Sequence, residues 1–213
     1  MIEMERIDSL NDSQTLKGRY VLCWMQQAQR ADYNHALEFA IERANELKKP
    51  LVVFFGITPN FPRANANHYR FMLEGLRETR EAVLDRGASF VVQAISPEKG
   101  AVALAEGACE AVCDMGYLRI QRRWREYVAR NVDCPLHQVE SDVVVPVRRA
   151  MGKAAYSAAV LRPKIQRELG RYLKPVRKPK LFAHEKAHEA PGLAPAAARH
   201  IDKAAPPLHA ELF

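Results

Sequence analysis

The sequence predicts an α/β protein with a doubly wound, five-stranded parallel sheet, and three observations carry that reading. Short apolar runs alternate with segments whose apolar residues recur at helical spacing. Several of the runs are continuous rather than alternating, the pattern of strands covered on both faces. The segments between them are long enough for helical, right-handed crossovers.

The elements follow in order. Residues 1–18, polar and acidic in "MIEMERIDSLNDSQ", read as an extension. "RYVLCWM" (19–25) is the first strand, and helical spacing runs from about 34 to 48. "LVVFFGI" (51–57) is the second strand. In the helix expected at 67–86, Tyr69, Met72, Leu73, Leu76, Val83 and Leu84 form one stripe and Gly87 supplies the stop. "SFVVQAI" (89–95), a helix at 98–107, "CEAVCD" (109–114), a helix at 119–131 and the short strand "LHQVE" (136–140) complete a domain over 19–150. Residues 151–173 hold a connecting helix from about 154. Residues 174–213, broken by Pro175, Pro179, Pro191, Pro195, Pro206 and Pro207, read as an extended tail.

At 213 residues and 48% apolar composition the chain can bury one sizeable core. No stretch approaches the ~20 apolar residues that span a bilayer, and the first residues are not a signal peptide. The expectation is a cytosolic protein with no membrane partner. Four cysteines fit that compartment as reduced thiols. Cys109 and Cys113, four apart on one strand, stand ~13 Å apart, too far to bridge.

The net charge of +7 is unevenly placed. Residues 148–186 hold 12 Lys or Arg against Glu168 and Glu185, whereas residues 1–147 hold 18 basic and 20 acidic residues. A late basic segment suits a polyanion surface or a solvated connector.

Neither G-x-G-x-x-G nor G-x-x-x-x-G-K-[ST] occurs, so ordinary dinucleotide and P-loop sites are not expected. "HEKAH" (184–188) matches H-E-x-x-H in form, but its Pro- and Lys-rich surroundings argue against a buried zinc helix. No activated nucleophile stands out, so no catalytic residue and no metal are assigned. The loop after the first strand carries Gln26, Gln27, Gln29, Arg30 and Asp32, side chains that reach, where a plain reversal uses Gly, Pro, Asn or Asp. In doubly wound folds such loops line the ligand site. A second loop, "DMGYLRIQRRW" (114–124), enters a helix rich in arginine. Most of those arginines suit a solvated face, but Arg119 falls at the helix start, where it can meet a ligand. In "LRPKIQRELGRYL" (161–173), Arg162, Lys164 and Arg167 suit phosphates or a solvated face equally.

"WMQQAQRADYNHAL" resembles the first loop of the class II DNA photolyases, where W-M-Q-x-x-Q-R-x-x-x-N-x-A-L follows the first strand. "NFPRANANHYRFMLEGL" (60–76), "DMGYLRIQRRW" (114–124), "VESDVVVPV" (139–147) and "LRPKI" (161–165) resemble further segments of that family in the same order. The resemblance implies an amino-terminal α/β domain that carries an antenna chromophore, a deazaflavin or a folate. Such proteins continue into a helical domain that binds FAD and splits the pyrimidine dimer. This chain ends at Phe213 with a Pro/Ala tail, so alone it is expected not to repair dimers. It is expected to serve as an antenna or accessory module, or as one half of a split enzyme, with a separately encoded flavin domain as partner. The alternative is a stand-alone Rossmann-like nucleotide- or partner-binding module. Met25, Gln26, Gln29, Arg30, Asn34, Asp114 and Arg119 are the expected chromophore contacts. Arg162, Lys164 and Arg167 are expected at a DNA or domain interface, with any DNA binding weak and non-specific.

Overall fold

A computed structural model describes residues 1–59 and 61–182. A 3-10 turn (Met4–Arg6) leads into β1 (Ile7–Ser9), followed by β2 (Tyr20–Trp24), α1 (His35–Leu47), β3 (Leu51–Gly56), α2 (Ala66–Asp85), β4 (Ser89–Gln93) and α3 (Pro97–Ala105). Then come β5 (Ala108–Asp114), α4 (Arg119–Asn131), β6 (Leu136–Val139), the single turn α5 (Val147–Ala150) and α6 (Ala158–Tyr172). The strands order as β1-β6-β5-β2-β3-β4. Five are parallel, as the apolar runs predict, and the sheet is doubly wound α/β.

The sixth strand corrects the reading of residues 1–18 as an extension. β1 pairs antiparallel with β6, with Ile7 opposite Val139. Its "IDS" is too short and polar to show periodicity, and pairing with an edge decides its conformation. Arg6, buried at 2% exposure, holds the segment down by donating to the carbonyls of Glu140, Val143 and Val144. Its guanidinium also lies 5.5 Å from the centroid of Tyr172, the one buried residue of α6.

Strand periodicity builds two cores. Val21, Cys23, Val53 and Phe55 point to the face covered by α1 and α2, against Leu37, Ile41, Leu76 and Val83. Tyr20, Leu22, Trp24, Val52 and Phe54 point to the other face, against Leu104 and Val128 of α3 and α4. α2 stops at Gly87, whose φ of 82° turns the chain so that the Ala88 N–H folds back to the carbonyl of Val83. All four cysteines are free thiols and buried.

The connecting helix begins at Ala158, four residues later than about 154, where the Ser157 side chain accepts from the Val160 N–H. Residues 174–182 run without regular structure along α1. Asn45 donates to the Lys180 carbonyl at 2.7 Å and accepts from the Phe182 N–H at 2.8 Å, and Leu181 is buried. "HEKAH" and the tail from residue 183 lie outside the described residues.

Candidate functional site

Strand order brings the loop after β2 beside the end of β5, and one side chain organises the meeting. Asp114, 1% exposed, accepts from the N–H groups of Gln26, Gln27 and Ala28 at 2.6–3.0 Å. Burial pushes its carboxyl up to about 6, against the downward pull of those amides. Asn34 closes the loop's far end. Its oxygen caps α1 through the Leu37 N–H, and its amide donates to the carbonyls of Ala28 and Arg30. Arg30 donates to the carbonyls of Tyr33 and Ser141 and faces Asp142 at 3.4 Å.

Held this way, the loop forms one wall of a cleft of about 470 Å³ above the carboxyl ends of β2 and β3. Phe55, Phe61, Tyr69, Met72 and Trp124 give it apolar walls, and Gln26, Gln27, Gln29, Thr58, Arg63, His68 and Gln121 give it polar edges. Among the described residues no carboxylate lines it. Phe61 faces Trp124 across 6.2 Å at an interplanar angle of 56°. Tyr69 fastens the β3–α2 loop by donating to the Thr58 carbonyl at 2.7 Å and accepting from the Phe61 N–H. His68, Pro97 and Leu118 place the starts of α2, α3 and α4 at the rim, where the positive ends of the helix dipoles favour an anionic group.

Gln26 is the chemically open group. Its carbonyl oxygen accepts from Arg125 at 3.1 Å, and because a guanidinium only donates, that contact fixes which end of the amide is nitrogen. The remaining Nε2 is buried without a partner among the described residues. That leaves the amide NH2 without an acceptor beside the aromatic walls. Gln121 stiffens the opposite wall, accepting from the Leu118 N–H and donating to the Gln27 side chain. Gly56 forms the floor, where an added Cβ would stand 2.6 Å from the Cα of Pro97. Gly56→Ala is therefore expected to push β3 from α3 and cost about 1–3 kcal/mol, read as a lower urea midpoint with unchanged slope.

Of the residues the sequence singled out, the structure brings Met25, Gln26 and Gln29 to the cleft. Arg30, Asn34 and Asp114 hold the loop instead, and Arg119 is exposed at the start of α4. Arg162, Lys164 and Arg167 lie on α6, away from the cleft lining. Sequence reasoning missed Phe55, Phe61, Arg63, Tyr69, Met72, Gln121 and Trp124 as lining. The signal was the second strand-to-helix loop, where ligands of this fold also bind.

A doubly wound sheet with an aromatic cleft above its strand ends places this chain among the α/β domains of Rossmann-like fold. Comparison with known proteins narrows that class. The family model described as DNA photolyase matches residues 21–180. A deoxyribodipyrimidine photo-lyase of Methanothermobacter thermautotrophicus is 49% identical over 178 residues, 83% of this chain and 40% of its own length. One from Arabidopsis thaliana is 34% identical over 157 residues, 72% of this chain and 32% of its own. The chain belongs to the DNA photolyase family and spans about two fifths or less of these relatives' length. The universal stress protein of Archaeoglobus fulgidus, solved with dAMP, covers 59% of this chain and 100% of its own at a TM-score of 0.42 and 17% identity. The photolyase family binds chromophores, an antenna and FAD, and a domain of this kind fits the antenna. No helix among the described residues is long and apolar enough to cross a membrane.

Proposed function

We propose that this domain is the antenna module of a class II photolyase system, holding a deazaflavin or a folate for light-dependent DNA repair. The observation that carries the reading is the buried, unpartnered Gln26 amide in an aromatic cleft. When bound, such a pigment supplies absorption of light and transfer of excitation to a flavin. The chain's own residues orient it: Gln26 donates to a ring acceptor, Trp124 and Phe61 enclose the ring, and Arg63 and the helix starts receive an anionic end. A flavin-bearing partner completes the chemistry, and we assign its docking side to α6, where Arg162, Lys164 and Arg167 lie and only Tyr172 is buried.

The test is a fluorescence titration of the purified chain with 8-hydroxy-5-deazaflavin and with methenyltetrahydrofolate. One of them is expected to bind with a shifted absorption band. Gln26→Leu, which removes the donor and keeps the volume, is expected to weaken binding about tenfold or more. Failure of both pigments to bind, or a Gln26→Leu affinity equal to wild type, counts against the proposal.

A further inference from the structure

We propose that the outer face of α4 is a second interaction surface, one that takes the phosphate backbone of duplex DNA. Arg119, Arg122, Arg123 and Arg130 are all exposed, and offsets of three, four and eleven residues from Arg119 place them on one side of the helix. Only Glu126 opposes them there. Tyr127, 44% exposed, borders the same face. Among the described residues none of the four side chains has a hydrogen bond or ion pair.

Several other arginines of the molecule are paired. Arg43 pairs with Glu110, Arg86 with Glu38, Arg148 with Asp8, Arg149 with Glu168 and Arg171 with Glu5. On α2 the arginines are interleaved with Glu74, Glu78, Glu81 and Asp85. α4 concentrates its cations with Glu126 alone among them. It also sets Arg119 and Arg122 against the helix field in the first turn, which holds no acidic residue, while Arg130 in the last turn lies with that field. Cations at a helix start cost about 0.3–1 kcal/mol each unless an anion neutralises them. A row of phosphates supplies that anion along the whole face, joined at the first turn by free backbone N–H groups. The opposite side of the helix, through Gln121 and Trp124, walls the cleft, so the surface adjoins the pigment site without belonging to it.

The test is anisotropy titration of a short fluorescein-labelled duplex with the full chain at several salt concentrations. Wild type is expected to bind weakly and without sequence preference, with affinity falling steeply as salt rises. Arg122→Gln/Arg123→Gln/Arg130→Gln is expected to lose at least tenfold in affinity at low salt, with a log–log salt slope shallower by about 2 to 3, since each lost phosphate contact removes about 0.9. The matching triple lysine variant keeps the charge and is expected to bind like wild type. An Arg162→Gln/Lys164→Gln/Arg167→Gln variant reports on α6. Far-UV circular dichroism checks that each variant is folded. The proposal is overturned if wild type does not bind, if the α4 glutamine variant binds like wild type, if only the α6 variant loses affinity, or if a folded lysine variant fails as the glutamine variant does.

Discussion

Asp114→Ala is expected to destabilise the domain by about 3–5 kcal/mol and to abolish pigment binding. The substitution strips the acceptor from three backbone N–H groups, two of them on the buried residues Gln26 and Ala28. A buried donor left alone costs about 1–3 kcal/mol, and release of a buried carboxylate offsets part of the sum. The loss falls on the loop that carries Met25, Gln26 and Gln29 to the cleft, so stability and binding fail together. Asp114→Asn separates the effects. Its oxygen still serves two amides while its NH2 opposes the third, so a smaller loss and a disordered Ala28 are expected. The pH dependence has a definite sign. The carboxyl sits at about 6 in the fold, above the ordinary aspartate value, so the folded state holds the proton more tightly. Its contribution is fully present below the unfolded value and is lost as pH rises through about 6. Wild-type stability should therefore fall across that window by at most about 1.4 kcal/mol per pH unit, and the asparagine variant should lack this component. Urea midpoints at a series of pH values read both results.

The fold was legible because continuous apolar runs and helical stripes are local patterns. All five expected strands occur within a few residues of their sequence bounds, and so do the four helices between them. What eluded the sequence depends on who sits beside whom. β1 exists because β6 presents an open edge, and "IDS" has no pattern of its own. The side chains of the first loop were visibly chosen to reach, but their targets are set by strand order. Arg30 reaches the Ser141 carbonyl because β6 lies two strands away, and Asp114 meets the loop amides because β5 adjoins β2. The cleft shows the same division. Gln26 could be picked from its place in the chain, but the need that makes it functional, an amide nitrogen without a partner, arises only when Arg125 takes the oxygen.

Removing one member of the Arg86–Glu38 pair should produce a loss of similar size, with the opposite lesson about charge. Glu38 lies on the inner face of α1 at 0% exposure, and Arg86, at the end of α2, meets it through both guanidinium nitrogens at 2.7 and 2.5 Å. Arg86 also donates to the Ala31 carbonyl at 3.1 Å, so it ties α2 to the pigment-site loop as well. In Arg86→Met the carboxylate keeps its burial and loses its counter-charge, and breaking a buried pair in this way costs about 3–5 kcal/mol. Burial already holds the Glu38 carboxyl above its usual value, with Arg86 pulling it down, so the variant raises it further. A raised carboxyl contributes stability below its unfolded value and loses it as pH rises through the folded one. The Arg86→Met deficit is thus expected to be largest at alkaline pH and to shrink as Glu38 takes up a proton in acid. Glu38→Gln/Arg86→Met removes the charge with its partner and should recover most of the loss at alkaline pH, giving a strongly non-additive double-mutant cycle. Equal deficits at acid and alkaline pH, or additive single effects, would show that the pair acts through packing rather than charge.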